Sequence, residues 1–385
     1  MRICFSFLLL FTIICSGSGQ IPVDASWGEG IKLQAIDSSF SLKLGLRFQT
    51  LYEGEKYGEN GDWNEQLMVR RYRIKFDGYA FKPNIKYKME LGISNRDSRS
   101  GNMDEIGHTA NIVLDAVVKW EFISGVELWA GQTKLPGNRE RVVSSQKLQF
   151  VDRSLVNSRF NLDRDIGLQL RATQSLSGVV FREAFAVSMG EGRGVIEDNP
   201  GNGRQYTSRF EILPLGSFKS KGDYVGADVE RQPAPKLAIG VTYDYNNKTP
   251  RSRGNLGAFL TDVDGNYVYS DLSTLFIDAL FKYQGLSWNA EYANRYTKNE
   301  VAGFGYGKGF VTAVGYVFKS NYEIAGRYTT IAPNGALSAI SAIDEYTLGV
   351  SRYIVGHSLK VQGDVSYMDA VDNFMRFRLQ FEVAL

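Results

Sequence analysis

The feature that most constrains what this chain can fold into is a two-residue alternation of apolar and polar side chains that returns along nearly its whole length. In FSLKLGLRFQTLY, Phe40, Leu42, Leu44, Leu46 and Phe48 alternate with Ser41, Lys43, Gly45, Arg47 and Gln49, which is the period of a strand with one apolar face. A helix would scatter the same residues around its circumference. The pattern repeats with Tyr72, Ile74 and Phe76 against Arg71, Arg73 and Lys75, with Ile85, Tyr87, Met89 and Leu91 against Lys86, Lys88 and Glu90, and with Leu114, Ala116, Val118 and Trp120 against Asp115, Lys119 and Glu121. The chain ends on Phe377, Leu379, Phe381, Val383 and Leu385 alternating with Arg376, Arg378, Gln380 and Glu382.

This template predicts sixteen strands, at 40–52, 66–80, 84–95, 110–122, 126–134, 163–174, 178–189, 206–213, 236–246, 273–284, 286–297, 309–319, 321–331, 345–354, 357–368 and 374–385. Most have the roughly 9 to 11 residues that a tilted strand needs to cross a hydrocarbon layer. No later apolar run is long enough for a membrane helix, and only helices and closed barrels satisfy their backbone groups in lipid. The expected fold is therefore all-β, a transmembrane antiparallel β-barrel of about 16 strands. Connections alternate between short and long, and with a periplasmic amino terminus every long one falls outside. Residues 214–235 break that rhythm: either a turn has grown there or a pair of strands is hidden in it. Glu183 falls among Phe181, Phe185 and Val187 on the apolar face, which marks a bulge or a contact between subunits.

Residues 1–19, MRICFSFLLLFTIICSGSG, read as a secretory signal cleaved before Gln20. A short periplasmic lead at 20–39 then precedes the barrel at 40–385. Cys4 and Cys15 both fall inside the signal, so no disulfide or cysteine metal site is expected. His108 and His357 lie far apart without paired-ligand spacing, and neither suggests a nucleophilic triad. No metal, cofactor or catalytic residue is expected. A formal net charge of +2 does not announce nucleic acid. DVDGNY at 262–267 could hold calcium but is first a turn signal, and GFGYGKG at 303–309 lacks the strand-to-helix context of a phosphate loop.

A base on the lipid face near the midplane costs roughly 2 to 4 kcal/mol, so the basic members of the alternation must face the lumen. The last strand closes on the first, and this predicts a basic wall of Lys43, Arg47, Arg71, Arg73, Lys75, Lys86, Lys88, Arg376 and Arg378, with Arg376 and Arg378 beside Lys43 and Arg47. On the same strands stand Asp77, Glu90 and Glu382. Further round, Asp278 with Lys282, Glu291 with Arg295 and Glu323 with Arg327 read as internal salt bridges. The longest interval without alternation carries Lys134, Arg139, Arg141, Lys147, Arg153, Arg159 and Arg164. It is the predicted third long loop, folded into the lumen as a constriction. Sixteen strands leave an aqueous channel, and one-signed charge on its wall concentrates counter-ions, the usual device of anion pores. The alternative is that the wall only balances Glu140, Asp152 and Asp163 of the loop, giving a transverse field in a weakly selective channel.

The runs RRYRIKFDGYAFKP at 70–83, GQTKLPGNRE at 131–140, SSQKLQFVDRS at 144–154 and NLDRDIGLQL at 161–170, with the later FEILPLGSF and APKLAIGVTYDYN, resemble the phosphate-selective porin O and P family over nearly the whole mature chain. The resemblance implies an outer-membrane channel of sixteen strands that assembles as a homotrimer, with a ladder of arginines and lysines handing small anions, phosphate or polyphosphate, down the lumen. Lys134 and Lys147 are the candidates for the family's central binding lysine. The implied partners are small anions, outer-membrane lipid and the assembly machinery that reads a C-terminal strand. An adhesin or a hydrolase carried on a barrel is the competing class, and a soluble β-sandwich would lack the loop rhythm.

Overall fold

A computed structural model describes residues 23–58, 61–94, 96–97, 112–195 and 202–385. The expected signal with Cys4 and Cys15, and His108 in the second long loop, lie outside the described residues. The strands are β1 (Val23–Ser26), β2 (Gly30–Gln34), β3 (Phe40–Tyr57), β4 (Trp63–Ala80), β5 (Ile85–Gly92), β6 (Val113–Ile123), β7 (Val126–Lys134), β8 (Arg164–Leu176) and β9 (Val179–Ser188). They continue as β10 (Gln205–Leu213), β11 (Lys236–Thr249), β12 (Ser270–Tyr283), β13 (Leu286–Tyr296), β14 (Gly307–Val317), β15 (Tyr322–Pro333), β16 (Ile343–Val355), β17 (Leu359–Asp369) and β18 (Phe374–Ala384).

From β3 onward each strand pairs antiparallel with its successor, and β18 returns to β3 with Phe374 opposite Tyr57 and Ala384 opposite Arg47. The sheet is thus a closed barrel of sixteen strands, and the sixteen segments expected from the alternation correspond one for one to β3 through β18. The two faces separate as the period requires: on β16, Leu348 is 69% exposed while Thr347 beside it is 2% exposed. The outward rows are mostly Phe, Tyr, Leu, Ile and Val, and the inward rows carry most of the charges.

Within the segment read from sequence as a short lead, residues 23–34 form the hairpin β1–β2. β2 lays Ile31 to Gln34 along Leu44 to Ser41, on the edge of β3 that β18 no longer covers beyond Ala384. This corrects the expected neighbours of the last strand. Because β3 runs for 18 residues and β18 pairs with its far part, Arg376 faces Glu55 and Arg378 faces Glu53, not Lys43 and Arg47. A second irregularity lies on β4. Gln49 opposes Arg71 but Thr50 opposes Val69, so Arg70 is the extra residue of a bulge, which locally turns the chain.

Residues 214–235 hide no strands. They form a grown turn with 3-10 turns at Lys219–Tyr224 broken by left-handed Ser220 and Lys221, and they fold back into the barrel from the end that carries Leu385.

Candidate functional site

Among the described residues two chain segments occupy the lumen, and what they leave open is the candidate path. The first is the connection between β7 and β8, with short helices at Arg139–Val142 and Leu155–Phe160. Phe160, Val156, Leu135 and Leu162 are buried against Phe276, Ala293, Val311 and Ile331 of the wall. Phe150 packs separately on Ala313 and Ala325. The wall is shaped to receive them. A Cβ added at Gly309 would stand 2.8 Å from Phe160 and 3.0 Å from Val156, and one at Gly349 would stand 3.0 Å from Phe150.

Polar anchors complete the docking. Arg139 donates from Nε to Asp278 at 2.7 Å and pairs with Glu211 through Nη2. The Asn138 amide donates to Glu291 at 2.8 Å and the Gln149 amide to Glu323 at 2.7 Å. The backbone N–H of Val151 donates to Asp364 at 3.0 Å. Arg295 donates to the Phe160 carbonyl at 2.6 Å and Arg327 to the Asp152 carbonyl at 2.9 Å.

The three salt bridges expected along single strands do not form. Residues four apart on a strand are separated by roughly 13 Å, and each of these side chains instead holds an inserted segment whose backbone groups need partners inside the barrel. Lys282 shows this for the second insertion, donating to the carbonyls of Gly222, Val225 and Ala227 at 2.9, 2.8 and 2.7 Å. The two insertions also touch, with the Gly226 N–H donating to the Lys147 carbonyl at 2.8 Å.

Open space remains along the wall from β3 to β10, as two cavities that share Arg73, Lys88, Glu90, Val142, Ser144 and Tyr224. Those six residues stand where the wall, the first insertion and the second insertion meet. The first cavity spans about 1930 Å³ of space open to solvent and is lined by Lys43, Arg47, Lys75 and Lys147. The second, about 2120 Å³, is lined by Lys86, Lys119, Trp129, Lys134, Arg164, Arg171 and Lys221.

Most of the predicted wall bases are already paired. Arg47 bonds Glu382 at 2.6 Å, Arg73 bonds Glu90 at 2.9 Å, and Lys75 bonds Asp77 at 2.8 Å. Lys86 reaches Glu121 and Glu127, both at 3.3 Å, and Lys88 reaches Glu90 at 2.9 Å and Asp115 at 2.8 Å. Arg376 pairs with Glu55 and Arg378 with Asp364, each at 2.7 Å, and neither lines the open cavities. Arg71 donates to Gln49 at 2.6 Å and, with Arg70 turned in by the bulge, faces Asp152 of the first insertion, 2.5 Å from Arg70. Burial alone would raise the Asp152 carboxyl, but Arg70 and Arg71 outweigh it and hold it well below the usual carboxylate range.

The loop bases divide in the same way. Arg139, Arg141 with Asp163, and Arg164 with Asp115 at 3.0 Å sit in ion pairs. Lys134 donates to the Arg141 carbonyl at 2.7 Å, and Arg153 to the carbonyls of Glu140 and Val143, both at 2.7 Å. Arg159 has no ion pair among the described residues and lines neither cavity. Lys147 has none either and faces the first cavity. Its ammonium lies below the ordinary lysine value, first through burial and then through the charges of Lys75, Lys221 and Lys43.

A family model described as phosphate-selective porin O and P matches residues 42–374. The chain belongs to that family. An uncharacterized protein of Aquifex aeolicus is 23% identical to this porin over 355 residues, covering 85% of the porin and 82% of its own length. Among solved structures, the outer-membrane protein OmpT of Vibrio cholerae in its trimer form superposes with a TM-score of 0.54 at 10% identity, over 89% of the porin and 99% of that chain. The anion-selective porin of Comamonas acidovorans gives 0.54 at 12% identity, over 90% of the porin and 100% of that chain. Family and fold are those of a channel, and they place the porin in the outer membrane.

Sequence reasoning named the basic wall but missed Arg70, Lys119, Trp129, Arg171 and Lys221 of the porin. The doubled arginine at 70–71 was a readable break in the alternation. Trp129 was readable too, as a polar-row tryptophan between Glu127 and Gly131. Lys221 was not, since nothing in 214–235 shows that the segment enters the lumen.

Proposed function

We propose that this porin is a passive diffusion channel that prefers small anions, with phosphate-like anions as its sharpest substrate class. One observation carries the reading. In the open cavities Lys43, Lys119, Lys147, Arg171 and Lys221 make no ion pair among the described residues. Of the acidic side chains lining the same space, all but Asp228 and Glu183 are in ion pairs. Asp228 is held by the N–H groups of Gln232 and Gly285, and Glu183 lies exposed on the outward row of β9. The unpaired charge on the path is therefore positive. Low-dielectric walls focus that charge and raise the local concentration of anions.

Lys43, Arg47, Arg73, Lys75, Lys86 and Lys88 act as the lining ladder, with Lys147 as its member on the inserted loop. The termini face the periplasm, the long loops face outward, and three copies assemble side by side. Residues 1–19 direct export, and the apolar row of β18 is read by the assembly machinery. A weakly selective channel with a transverse field is the second reading, favoured by the pairing of most wall bases.

The test is the reversal potential of the purified protein in a planar bilayer under a chloride gradient, repeated with phosphate added. An anion-sign potential with phosphate block of the chloride current is expected. Near-zero selectivity would leave the second reading, and cation preference would overturn both.

A further inference from the structure

Trp129 is out of place for a barrel of this kind. The other four tryptophans, Trp27, Trp63, Trp120 and Trp288, are each between 37% and 52% exposed, as expected of aromatic residues near the lipid interfaces. Trp129 instead faces the lumen, lining the second cavity. Its indole N–H donates to Glu127 at 2.7 Å, which fixes the ring. The two neighbouring strands each aim a cation at it: the Lys119 ammonium is 3.7 Å and the Arg171 guanidinium 4.2 Å from the ring. Neither cation has a carboxylate partner among the described residues, and besides the ring Arg171 meets the neutral oxygen of Gln169, at 3.1 and 2.7 Å. Across the same cavity the second insertion presents Tyr224 and the exposed, unpaired Lys221.

A site that attracted inorganic anions alone would need the charges but not the rings. Here two aromatic faces and three unpaired cations converge on one water-accessible space. An indole holds cations in place through its quadrupole without neutralising them, as a carboxylate would. The outer face of a guanidinium and a tyrosine ring are both surfaces on which a flat ring stacks. We infer that this station binds planar aromatic carboxylates, the carboxylate meeting Lys119 and Lys221 and the ring lying against Arg171 and Tyr224. The inference rests on the anion-channel reading and goes beyond it by naming a second substrate class.

The experiment compares benzoate, cyclohexanecarboxylate and acetate as blockers of the chloride current through the wild-type porin in planar bilayers, with inorganic phosphate as a fourth probe. Benzoate is expected to half-block at about five- to tenfold lower concentration than cyclohexanecarboxylate, the size of one ring-stacking contact. Trp129→Leu and Tyr224→Ala are each expected to close that gap. Equal block by the three carboxylates, or a gap that survives both variants, would overturn the inference; phosphate, which the anion-channel reading itself expects to block, serves as the reference anion. Loss of anion preference itself would sink the channel reading with it; anion preference without the benzoate gap sinks only this site. The wild-type comparison stands even where a strand variant fails to assemble.

Discussion

Replacing Arg139 by methionine should loosen the first insertion and enlarge the channel without unfolding the barrel. The guanidinium makes charge-assisted hydrogen bonds to Asp278 and Glu211 and a further one to the Asp223 carbonyl at 3.3 Å. Breaking a buried pair by removing one partner costs about 3 to 5 kcal/mol when the other charge is left alone. Here it is not left alone: Asp278 keeps Arg209 at 2.7 Å, and Glu211 keeps Arg182 at 3.0 Å. The cost should therefore fall toward that of two charge-assisted hydrogen bonds, about 3 kcal/mol in all. Phe160, Gln149 and Asn138 still hold the segment, so it stays docked on average. Its local opening should become roughly a hundredfold more populated.

Hydrogen exchange of the amides at 138–143 reads that population directly, and single-channel recordings should show brief openings to higher conductance. Arg376→Met is the internal control. Its ion pair with Glu55 is part-exposed, with side chains 21% and 23% accessible, and pairs of that kind are worth about 1 kcal/mol or less. If exchange at 138–143 is unchanged in Arg139→Met, or rises equally in Arg376→Met, the buried charge cluster is not what anchors the insertion.

Four further outcomes follow from the same geometry. Phe160→Ala removes a side chain with no exposed surface and should weaken docking by about 3 to 5 kcal/mol, seen as raised conductance with the barrel's heat-modifiable migration kept. Gly309→Val places carbon where Phe160 and Val156 already stand; overpacking of about 1 to 3 kcal/mol should likewise speed exchange across 155–160. The Asp152 carboxylate is depressed below its unfolded value of 3.8, so the stability it adds is complete above that value and is lost as pH falls through the folded one. Asp152→Asn should remove this acid-side dependence of exchange near 150–153. Lys147 titrates below 10.5, so anion preference should begin to fall with rising pH before the ordinary lysine range, and Lys147→Met should delay that onset.

The barrel was legible because its cause is local. A period of two with charges on one row is written residue by residue, and misplacing that row by one position would put every base in lipid. The filling of the lumen was legible only in part. Ala293, Gly309, Val311, Ala313 and Ala325 lie on rows that should be polar if they faced water, and their small apolar side chains mark the surface where the insertion packs. Pairing was legible only in part: Asp77, Glu90 and Glu382, named on the same strands as the bases, do pair with them, but other partners lay elsewhere. Arg73 finds Asp97 in the next loop, and Arg378 finds Asp364 on the preceding strand; counting acids on the same strands as the bases could not anticipate either. The offset of β18 depended on the 18-residue length of β3 and on a hairpin that has too few residues to show a clear period.

Packing and selectivity are linked through the acids. Glu291, Glu323 and Asp364 on the far wall accept from Asn138, Gln149 and the Val151 N–H of the insertion. They are buried behind that segment, away from the open space. Had the insertion remained outside, these carboxylates would line the lumen and oppose the bases of β3 to β5. Docking it hides negative charge and leaves Lys43, Lys119, Lys147, Arg171 and Lys221 as cations without an ion pair, among the described residues, beside the path. A variant that undocks the insertion should therefore change two observables together: conductance rises and anion preference falls. A variant that removes a path lysine with the insertion in place lowers preference alone.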